Sequence, residues 1–117
     1  LSLHVRHAPE GRLAEPAARF VAAEVLLALE HLHEHGVLHR DIKAENVLVD
    51  EQGHVRLADM NVAKQLASRD TDDESRTYTV VGTPFATAPE VLLGNGWSRA
   101  SDWWSYGVLL FEMLAGR

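Results

Sequence analysis

The sequence has no cysteine, no excess of basic residues and no long apolar run. Without cysteine, disulfide bonds and cysteine-based zinc sites are excluded. The formal net charge of −6 argues against a nucleic-acid-binding surface, which is usually basic, and would suit basic peptide partners. No segment approaches the roughly 20 apolar residues of a membrane span, and no basic start followed by an apolar run marks a signal peptide. We therefore expect an intracellular, cytoplasmic protein with no membrane span and no nucleic-acid partner.

The hydrophobic pattern predicts a mainly α chain with one small β-hairpin. Apolar residues recur at helical spacing from Pro16 to His35, which predicts one long helix. Two short extended segments, residues 47–49 and 54–57, flank a turn that contains Asp50 and Gly53, and together they predict the hairpin. Residues 37–38 would form a short extended piece before it.

The second half of the chain contains a long stretch, residues 60–88, without a steady period. Its polar part from Ser68 to Ser75 carries four acidic residues, and we expect that part to be mobile. A short helix is predicted from Pro89 to Leu93. The last predicted helix, from Ser101 to Ala115, is apolar on nearly every side, so we expect it to be buried and surrounded by further chain.

One polar loop carries side chains that suit phosphoryl transfer. Between the long helix and the hairpin, residues 39–46 place the carboxylate of Asp41, the amine of Lys43 and the amide of Asn46 close together. Phosphoryl transfer depends mostly on positioning and charge stabilisation, which such a set can supply. Asp59 follows the hairpin, and with Asn46 it offers the oxygen ligands that Mg²⁺ prefers. Either feature alone is more often a structural loop or a turn cap.

The order of the motifs resembles that of eukaryotic Ser/Thr protein kinases. The motifs are His39-Arg40-Asp41-x-Lys43-x-x-Asn46 with Asp59, then Gly82-Thr83-Pro84 with Ala88-Pro89-Glu90, then Asp102-Trp103-Trp104-Ser105-x-Gly107. The finer resemblance is to the AGC group, the kinases related to cyclic-AMP-dependent and ribosomal S6 kinases. It implies an incomplete protein-kinase-like C-terminal lobe across residues 1–117, which belongs to a domain that is α+β as a whole. The lobe would run from before the long helix to the central buried helix, without the N-lobe or the last C-lobe helices.

The resemblance also implies catalytic roles for three residues and an anchoring role for a fourth. Asp41 would be the catalytic base, and Lys43 would contact the γ-phosphate of ATP. Thr83 would support both of these side chains. Asp102 would anchor the backbone of the catalytic loop.

ATP and Mg²⁺ are the cofactors that the resemblance implies. Asn46 and Asp59 would hold the magnesium ion, and Leu48 would pack beneath the adenine ring. Protein substrates would be basic around the phosphoacceptor, because Glu45 and Glu112 match positions that receive an arginine in basophilic members. For each glutamate, an ordinary solvated charge is the alternative.

Regulation by an upstream kinase is implied at Thr79, which matches the phosphorylation site of the activation loop. A phosphate there would add nearly two negative charges, which Arg40 and Lys64 would pair with. The alternative is an ordinary exposed threonine.

Several positions depart from the family pattern. Met60-Asn61 replaces the usual Phe-Gly after the metal-binding aspartate, where methionine can fill the apolar slot and asparagine tolerates left-handed backbone. Ala86-Thr87 replaces a pair that usually includes tyrosine, and Phe85 is expected to cover part of the gap. In the run of His31, His33 and His35, the first and last lie one helical turn apart and could share a metal ion. We favour the alternative, because the family pattern explains Leu32, His33 and Gly36 without any metal.

Parts of a kinase active site are missing from these residues. Lys43 and Lys64 are the only lysines, and neither matches the N-lobe lysine that contacts the α- and β-phosphates. No glycine-rich Gly-x-Gly-x-x-Gly loop occurs. The sequence is thus consistent with part of an active Ser/Thr kinase, with a pseudokinase or scaffold, or with a truncated product that has no activity.

Overall fold

A computed structural model describes residues 1–66 and 76–116 of the chain. The helices of this part are α1 (Ser2–His7), α2 (Glu15–Glu34), α3 (Pro89–Leu92) and α4 (Arg99–Ala115). The strands are β1 (Val37–Leu38), β2 (Val47–Val49), β3 (Val55–Leu57) and β4 (Lys64–Gln65). Short 3-10 turns cover Pro9–Gly11, Ala44–Asn46 and Pro84–Ala86. The predicted mobile stretch from Ser68 to Ser75 lies outside the described residues.

Helix α2 confirms the predicted long helix almost to the residue. Pro16 lies in the first turn, where its missing N–H costs no helical hydrogen bond. One stripe at four-residue spacing, Val21, Val25, Leu29 and His33, is buried. This stripe lies in the same core as the buried side chains of α4, so the two longest helices hold the fold together.

Helix α4 is buried along only one face within the described part of the chain. The buried face consists of Ser101, Asp102, Ser105, Leu109 and Met113. On the opposite side Trp104 is 49% exposed and Phe111 is 58% exposed. The expectation of burial on every side is therefore not met here, because α2 and the turn Pro84–Ala86 pack against a single face of the helix.

Strands β2 and β3 form the predicted hairpin, with Val47 opposite Leu57 and Val49 opposite Val55. Val47 is fully buried, whereas the next residue, Leu48, is 55% exposed, as the alternation along a strand requires. Glu24 of α2 anchors the hairpin, because its carboxylate accepts hydrogen bonds from the N–H of Val55 at 2.7 Å and from Nδ1 of His54 at 2.6 Å.

Two short elements escaped the sequence analysis. Helix α1 is one, and it contributes the buried side chain of Val5 to the core. The other is β4, which pairs antiparallel with β1 so that Lys64 lies opposite Leu38. In the described part of the chain, no helix is both long and apolar enough to cross a membrane.

Candidate active site

The first turn of α4 supplies the support for the catalytic loop. A capping box between Ser98 and Ser101 fixes the start of the helix. One turn in, the fully buried carboxylate of Asp102 accepts hydrogen bonds from the backbone N–H groups of His39 and Arg40, each at 2.9 Å. It also lies 2.8 Å from Nε2 of His33. The anchoring contact predicted for Asp102 is confirmed.

The backbone at Arg40 needs this support. Its φ is +67°, a left-handed conformation that costs a residue with a side chain roughly 1–2 kcal/mol. The neighbouring His39 ring is fully buried, and its Nε2 lies 3.0 Å from the carbonyl oxygen of Ala58. Since a carbonyl only accepts, Nε2 carries the hydrogen, and Nδ1 is left to accept from the N–H of Asp41 at 3.3 Å.

Four of the predicted site residues form one hydrogen-bonded cluster. Thr83 Oγ1 donates to Asp41 Oδ1 at 2.5 Å and accepts from Lys43 Nζ at 2.8 Å. Lys43 Nζ also lies 2.8 Å from Asp41 Oδ2. Asn46 Nδ2 also donates to Asp41, at 2.9 Å from Oδ2 and 2.7 Å from the backbone carbonyl oxygen. A residue far along the chain, Thr83, is thus brought onto the catalytic loop.

The cluster keeps the carboxylate of Asp41 ionised. Burial alone would raise the pKa of Asp41, but hydrogen bonds donated by Lys43, Thr83 and Asn46, together with the positive charge of Lys43, outweigh it. The pKa of Asp41 is therefore lowered. A carboxylate of this kind can orient a hydroxyl group, and it takes up a proton only once the hydroxyl has become strongly acidic.

Asp59 and Asn46 carry the two hard oxygen donors that the sequence analysis assigned to a magnesium ion. The carbonyl of Asn46 accepts from the N–H of Ala58 at 2.8 Å, which brings the residue before Asp59 against the catalytic loop. Asp59 is exposed and has a φ of +61°. Because Asn46 uses its amide nitrogen on Asp41, its side-chain oxygen is the atom left for a cation. One carboxylate and one amide oxygen fit a magnesium ion that also binds phosphate oxygens and water.

The histidine run does not form a comparable site. His33 points to Asp102, while His35 Nδ1 lies 2.8 Å from the carbonyl of His31. Among the described residues there is no group of three or more His, Cys, Asp or Glu side chains that could hold a metal ion. The structure thus gives the metal interpretation of these histidines no support.

Comparison with known proteins decides the family. The family model described as the protein kinase domain matches residues 2–117. The chain is 45% identical over 105 residues to the cAMP-dependent protein kinase catalytic subunit of Dictyostelium discoideum, which covers 90% of the chain and 15% of that protein. It is 44% identical over 108 residues to the serine/threonine-protein kinase AtPK1/AtPK6 of Arabidopsis thaliana, covering 92% of the chain and 22% of that protein. Human ribosomal protein S6 kinase alpha-1 is 44% identical over 114 residues, covering 97% of the chain and 15% of that protein.

The chain belongs to the protein kinase family. Its relatives are AGC-type Ser/Thr kinases, as the motifs indicate. The chain spans 15 to 22% of the length of these three relatives. A helical body with small antiparallel strand pairs fits part of a kinase lobe, which confirms the predicted fold class.

Other predicted kinase site residues lie around this cluster. Leu48 extends from β2 away from the core, and its exposed side chain is available to an adenine ring. Glu45 and Glu112 lie close enough to interact: burial chiefly raises the pKa of Glu112, and the charge of Glu45 raises it further. Arg6 of α1 opposes that rise and lies 3.9 Å from Glu45. The two glutamates thus form an acidic pair that already has one arginine beside it.

The predicted phosphorylation site and the two residues expected to bind its phosphate differ from one another in exposure. Thr79 is exposed, and so is Lys64. The Arg40 side chain is buried, and its Nε donates to the carbonyl of Val62 at 2.7 Å. Burial lowers the pKa of Arg40, against the opposing charge of Asp102. Its Nη1 is buried and has no hydrogen-bond partner among the described residues.

At the positions that depart from the kinase pattern, the side chains and backbone differ from what the sequence predicts. Asn61 lies outside the left-handed region, so this position does not need glycine's freedom here, and its N–H lies 3.3 Å from Asp59 Oδ1. Met60 is 44% exposed rather than packed in an apolar slot. The expectation that Phe85 covers a gap is wrong, because its side chain is 64% exposed while the neighbouring Ala86 is buried.

Sequence analysis missed two side chains that hold the segment of Thr83. Thr87 Oγ1 donates to the carbonyl of Thr83 at 2.8 Å, and Ser105 Oγ donates to the carbonyl of Ala86 at 2.7 Å. It also gave His33 no role beyond the family pattern. These contacts depend on how the chain folds around the site, and no local pattern in the sequence signals them.

Proposed function

We propose that this chain acts, within a complete kinase domain, in transferring the γ-phosphate of ATP to serine or threonine hydroxyls of protein substrates. The observation that carries the proposal is the cluster of Asp41, Lys43, Asn46 and Thr83, with Asp59 beside it. It combines an ionised carboxylate, a cation and hard oxygen ligands at one place, which is what phosphoryl transfer needs.

Each side chain of the cluster has one task in this proposal. Asp41 accepts a hydrogen bond from the substrate hydroxyl and aligns its oxygen with the phosphorus. The proton would pass to Asp41 as the hydroxyl oxygen bonds to the γ-phosphorus and the bond from that phosphorus to ADP, the leaving group, breaks. Lys43 lies 2.8 Å from Asp41 and stabilises negative charge on the phosphoryl oxygens beside it. Thr83 fixes the positions of Asp41 and Lys43 relative to each other, because its single hydroxyl bonds to both.

The nucleotide would bind on the exposed side of the hairpin. Leu48 offers an apolar surface to the adenine ring, and the oxygens of Asn46 and Asp59 would hold the magnesium ion. When bound, ATP with Mg²⁺ supplies the transferable phosphoryl group and neutralises part of its charge. The chain's own residues orient the acceptor and manage the proton.

The test is phosphate transfer by a protein that carries these residues in a complete kinase domain. Asp41→Asn keeps the hydrogen bonds to Thr83 or Asn46 in part but loses the base, so we expect kcat to fall by about 100- to 10,000-fold. The control Glu51→Gln alters an exposed carboxylate in the hairpin turn and should leave kcat unchanged. Radiolabelled phosphate incorporation into a Ser/Thr peptide measures both. An unchanged kcat in Asp41→Asn would refute the role assigned to Asp41, whereas no phosphate incorporation by the wild-type domain would favour a pseudokinase or scaffold.

The acidic pair of Glu45 and Glu112 supports a preference for substrates that are basic around the phosphoacceptor. A substrate arginine would replace Arg6 beside these two carboxylates. We expect Glu112→Gln to raise the KM of an arginine-containing peptide about tenfold, since a charge-assisted hydrogen bond contributes roughly 1.5 kcal/mol or more. The KM of a matched peptide with citrulline in place of the arginine should not change. Equal effects on both peptides would refute the preference.

Thr79 and the cellular location complete the proposal. An upstream kinase would phosphorylate the exposed Thr79, and the phosphate would pair with the exposed Lys64 and, once its buried guanidinium is uncovered, with Arg40. We also propose a cytoplasmic location, which suits a chain without cysteine.

A further inference from the structure

A second set of contacts links the segment just before Thr79 to the loop just before α4. The N–H of Trp97 donates to the carbonyl of Thr77 at 2.8 Å, and the N–H of Thr77 donates back to the carbonyl of Trp97 at 3.2 Å. One residue earlier, Arg76 Nη1 donates to the carbonyl of Asn95 at 2.8 Å. Together these form a short antiparallel bridge, isolated from both strand pairs.

Gly96 makes the close approach of the two segments possible. Its φ is +78°, and a Cβ at this position would lie 3.0 Å from Cε1 of Tyr78 and 3.2 Å from the carbonyl oxygen of Thr77. These distances are shorter than ordinary van der Waals contact, so a side chain here would push the Tyr78 ring aside by a few tenths of an ångström and crowd the carbonyl of Thr77. The ring therefore packs directly on the backbone of Gly96, beside the hydrogen bonds of Thr77.

Trp97 extends the contact to the residue before Thr83. Its side chain is 1% exposed, and its ring edge is so close to Gly82 that a Cβ there would lie 3.1 Å from Cη2. The same Cβ would lie 2.5 Å from the carbonyl oxygen of Arg40. Gly82 is thus held between Trp97 and the catalytic loop, immediately before the hydroxyl that bonds to Asp41 and Lys43.

The loop of Gly96 is hydrogen-bonded to α3 and leads directly into the N-terminal cap of α4. Asn95 N–H donates to the carbonyl of Glu90 at 2.9 Å, and Ser98 begins the capping box of α4. Asp102 of α4 holds the catalytic loop, which carries Asp41 and Lys43. The catalytic loop and the loop of Gly96 are therefore both fixed to the same helix. A shift of residues 95–97 would therefore move Thr83 relative to Asp41.

We infer that the Thr77–Trp97 bridge, with Tyr78 packed on Gly96, is a latch that positions Thr83 against Asp41 and Lys43 for catalysis. Tyr78, Gly96 and Trp97 are positioning residues in this inference, because none of them touches the reacting atoms. The inference rests on the proposed function, since its consequence is a rate of phosphate transfer.

Gly96→Ala tests the latch, and the chain offers a matched control. Gly94 also has a positive φ, +81°, but a Cβ there would meet nothing within 4 Å. Gly94→Ala thus has a similar backbone strain without the contact with Tyr78. A misplacement of about 1 Å can cost on the order of 100-fold in rate, and the shift that Gly96→Ala requires is smaller, so we expect its kcat to be about 3- to 10-fold below that of Gly94→Ala. The KM for ATP should be the same in both variants.

Rescue and hydrogen exchange give two further readouts. Tyr78→Ala combined with Gly96→Ala removes the ring that the new Cβ would meet, so part of the lost kcat should return. The amides of Thr77 and Trp97 should be protected from exchange in the wild-type protein and exchange faster in Gly96→Ala. If Gly96→Ala does not fold, Tyr78→Ala alone is compared with the wild type, and it should lower kcat and speed exchange at both amides.

The outcomes separate the latch from the proposed function. Equal kcat values for Gly96→Ala and Gly94→Ala, or unprotected amides at Thr77 and Trp97 in the wild type, would overturn the latch. If the wild-type protein transferred no phosphate at all, the proposed function would fail. In that case exchange at the two amides would still show whether the latch exists.

Discussion

Replacing Asp102 with asparagine changes the shape of a fully buried side chain very little but removes one acceptor oxygen. The wild-type carboxylate accepts from three groups: the backbone N–H of His39, the backbone N–H of Arg40 and Nε2 of His33. The best placement of the new amide puts its oxygen where Oδ2 lies, so the bonds from His33 and His39 remain. Its nitrogen then faces the N–H of Arg40, and donor meets donor.

The size of the effect follows from the groups left without partners. The Arg40 N–H and the new amide N–H are both buried, and an unsatisfied buried polar group costs about 1–3 kcal/mol. Together they predict a loss of roughly 2–6 kcal/mol in the free energy of unfolding. Because Arg40 has a left-handed backbone, loss of this bond also releases strain that shifts Asp41, and kcat should fall while the KM for ATP changes little.

The assay is denaturant unfolding of the complete kinase domain, wild type beside Asp102→Asn, with the exposed Glu51→Gln as control. Steady-state kinetics on the same samples give the rate. A change within about 0.5 kcal/mol, the range of ordinary surface substitutions, would refute the reasoning. It would show that the buried carboxylate does not hold the backbone of the catalytic loop.

Two more predictions concern titrating groups. The hydrogen bond to Glu24 raises the pKa of His54, and hydrogen bonds from Val55 and His54 lower the pKa of Glu24. Their contact therefore stabilises the hairpin between these two pKa values, and it is lost as pH rises through that of His54 or falls through that of Glu24. In a proton NMR titration, Glu24→Gln should return the pKa of His54 towards about 6.5, and an unchanged pKa would contradict the contact. Thr83→Ala removes a donor that lowers the pKa of Asp41, so the acid limb of kcat/KM should move to higher pH and kcat should fall roughly 10- to 100-fold. Thr83→Ser keeps the hydroxyl and should behave as wild type; if both variants gave the same profile, the hydroxyl would have no such role.

The parts of the fold that could be predicted are those with a local signal. Helix α2 has a buried stripe at four-residue spacing, and the hairpin has two short strands around an Asp- and Gly-containing turn. Helix α1 is six residues long with only Val5 buried, so it shows no period. Strands β1 and β4 are two residues each, and their pairing depends on tertiary contacts.

The candidate site divides in the same way. The motif of the catalytic loop placed Asp41, Lys43 and Asn46 together from their spacing, and family resemblance added Thr83. The resemblance also gave the anchoring role of Asp102, but the sequence did not reveal the supporting contacts of His33 and Glu24. The contacts of His33 and of Glu24 join residues 30 or more positions apart. A histidine or a glutamate on a helix can equally well face solvent, so the residue type alone does not predict either contact.

Three of the supports share one physical feature, which is that they end on helix α4 or on the loop before it. Asp102 holds the catalytic loop, Ser105 holds the turn before Thr87, and Trp97 holds Gly82. Each is buried, so each contact is made in an environment where an unmatched polar group is costly. Helix α4 and the loop before it therefore fix both the base, Asp41, and the Thr83 hydroxyl that orients it. Substitutions on the buried face of α4 should consequently change catalytic geometry as well as stability, whereas those on its exposed face, such as Phe111→Ala, should leave the cluster in place.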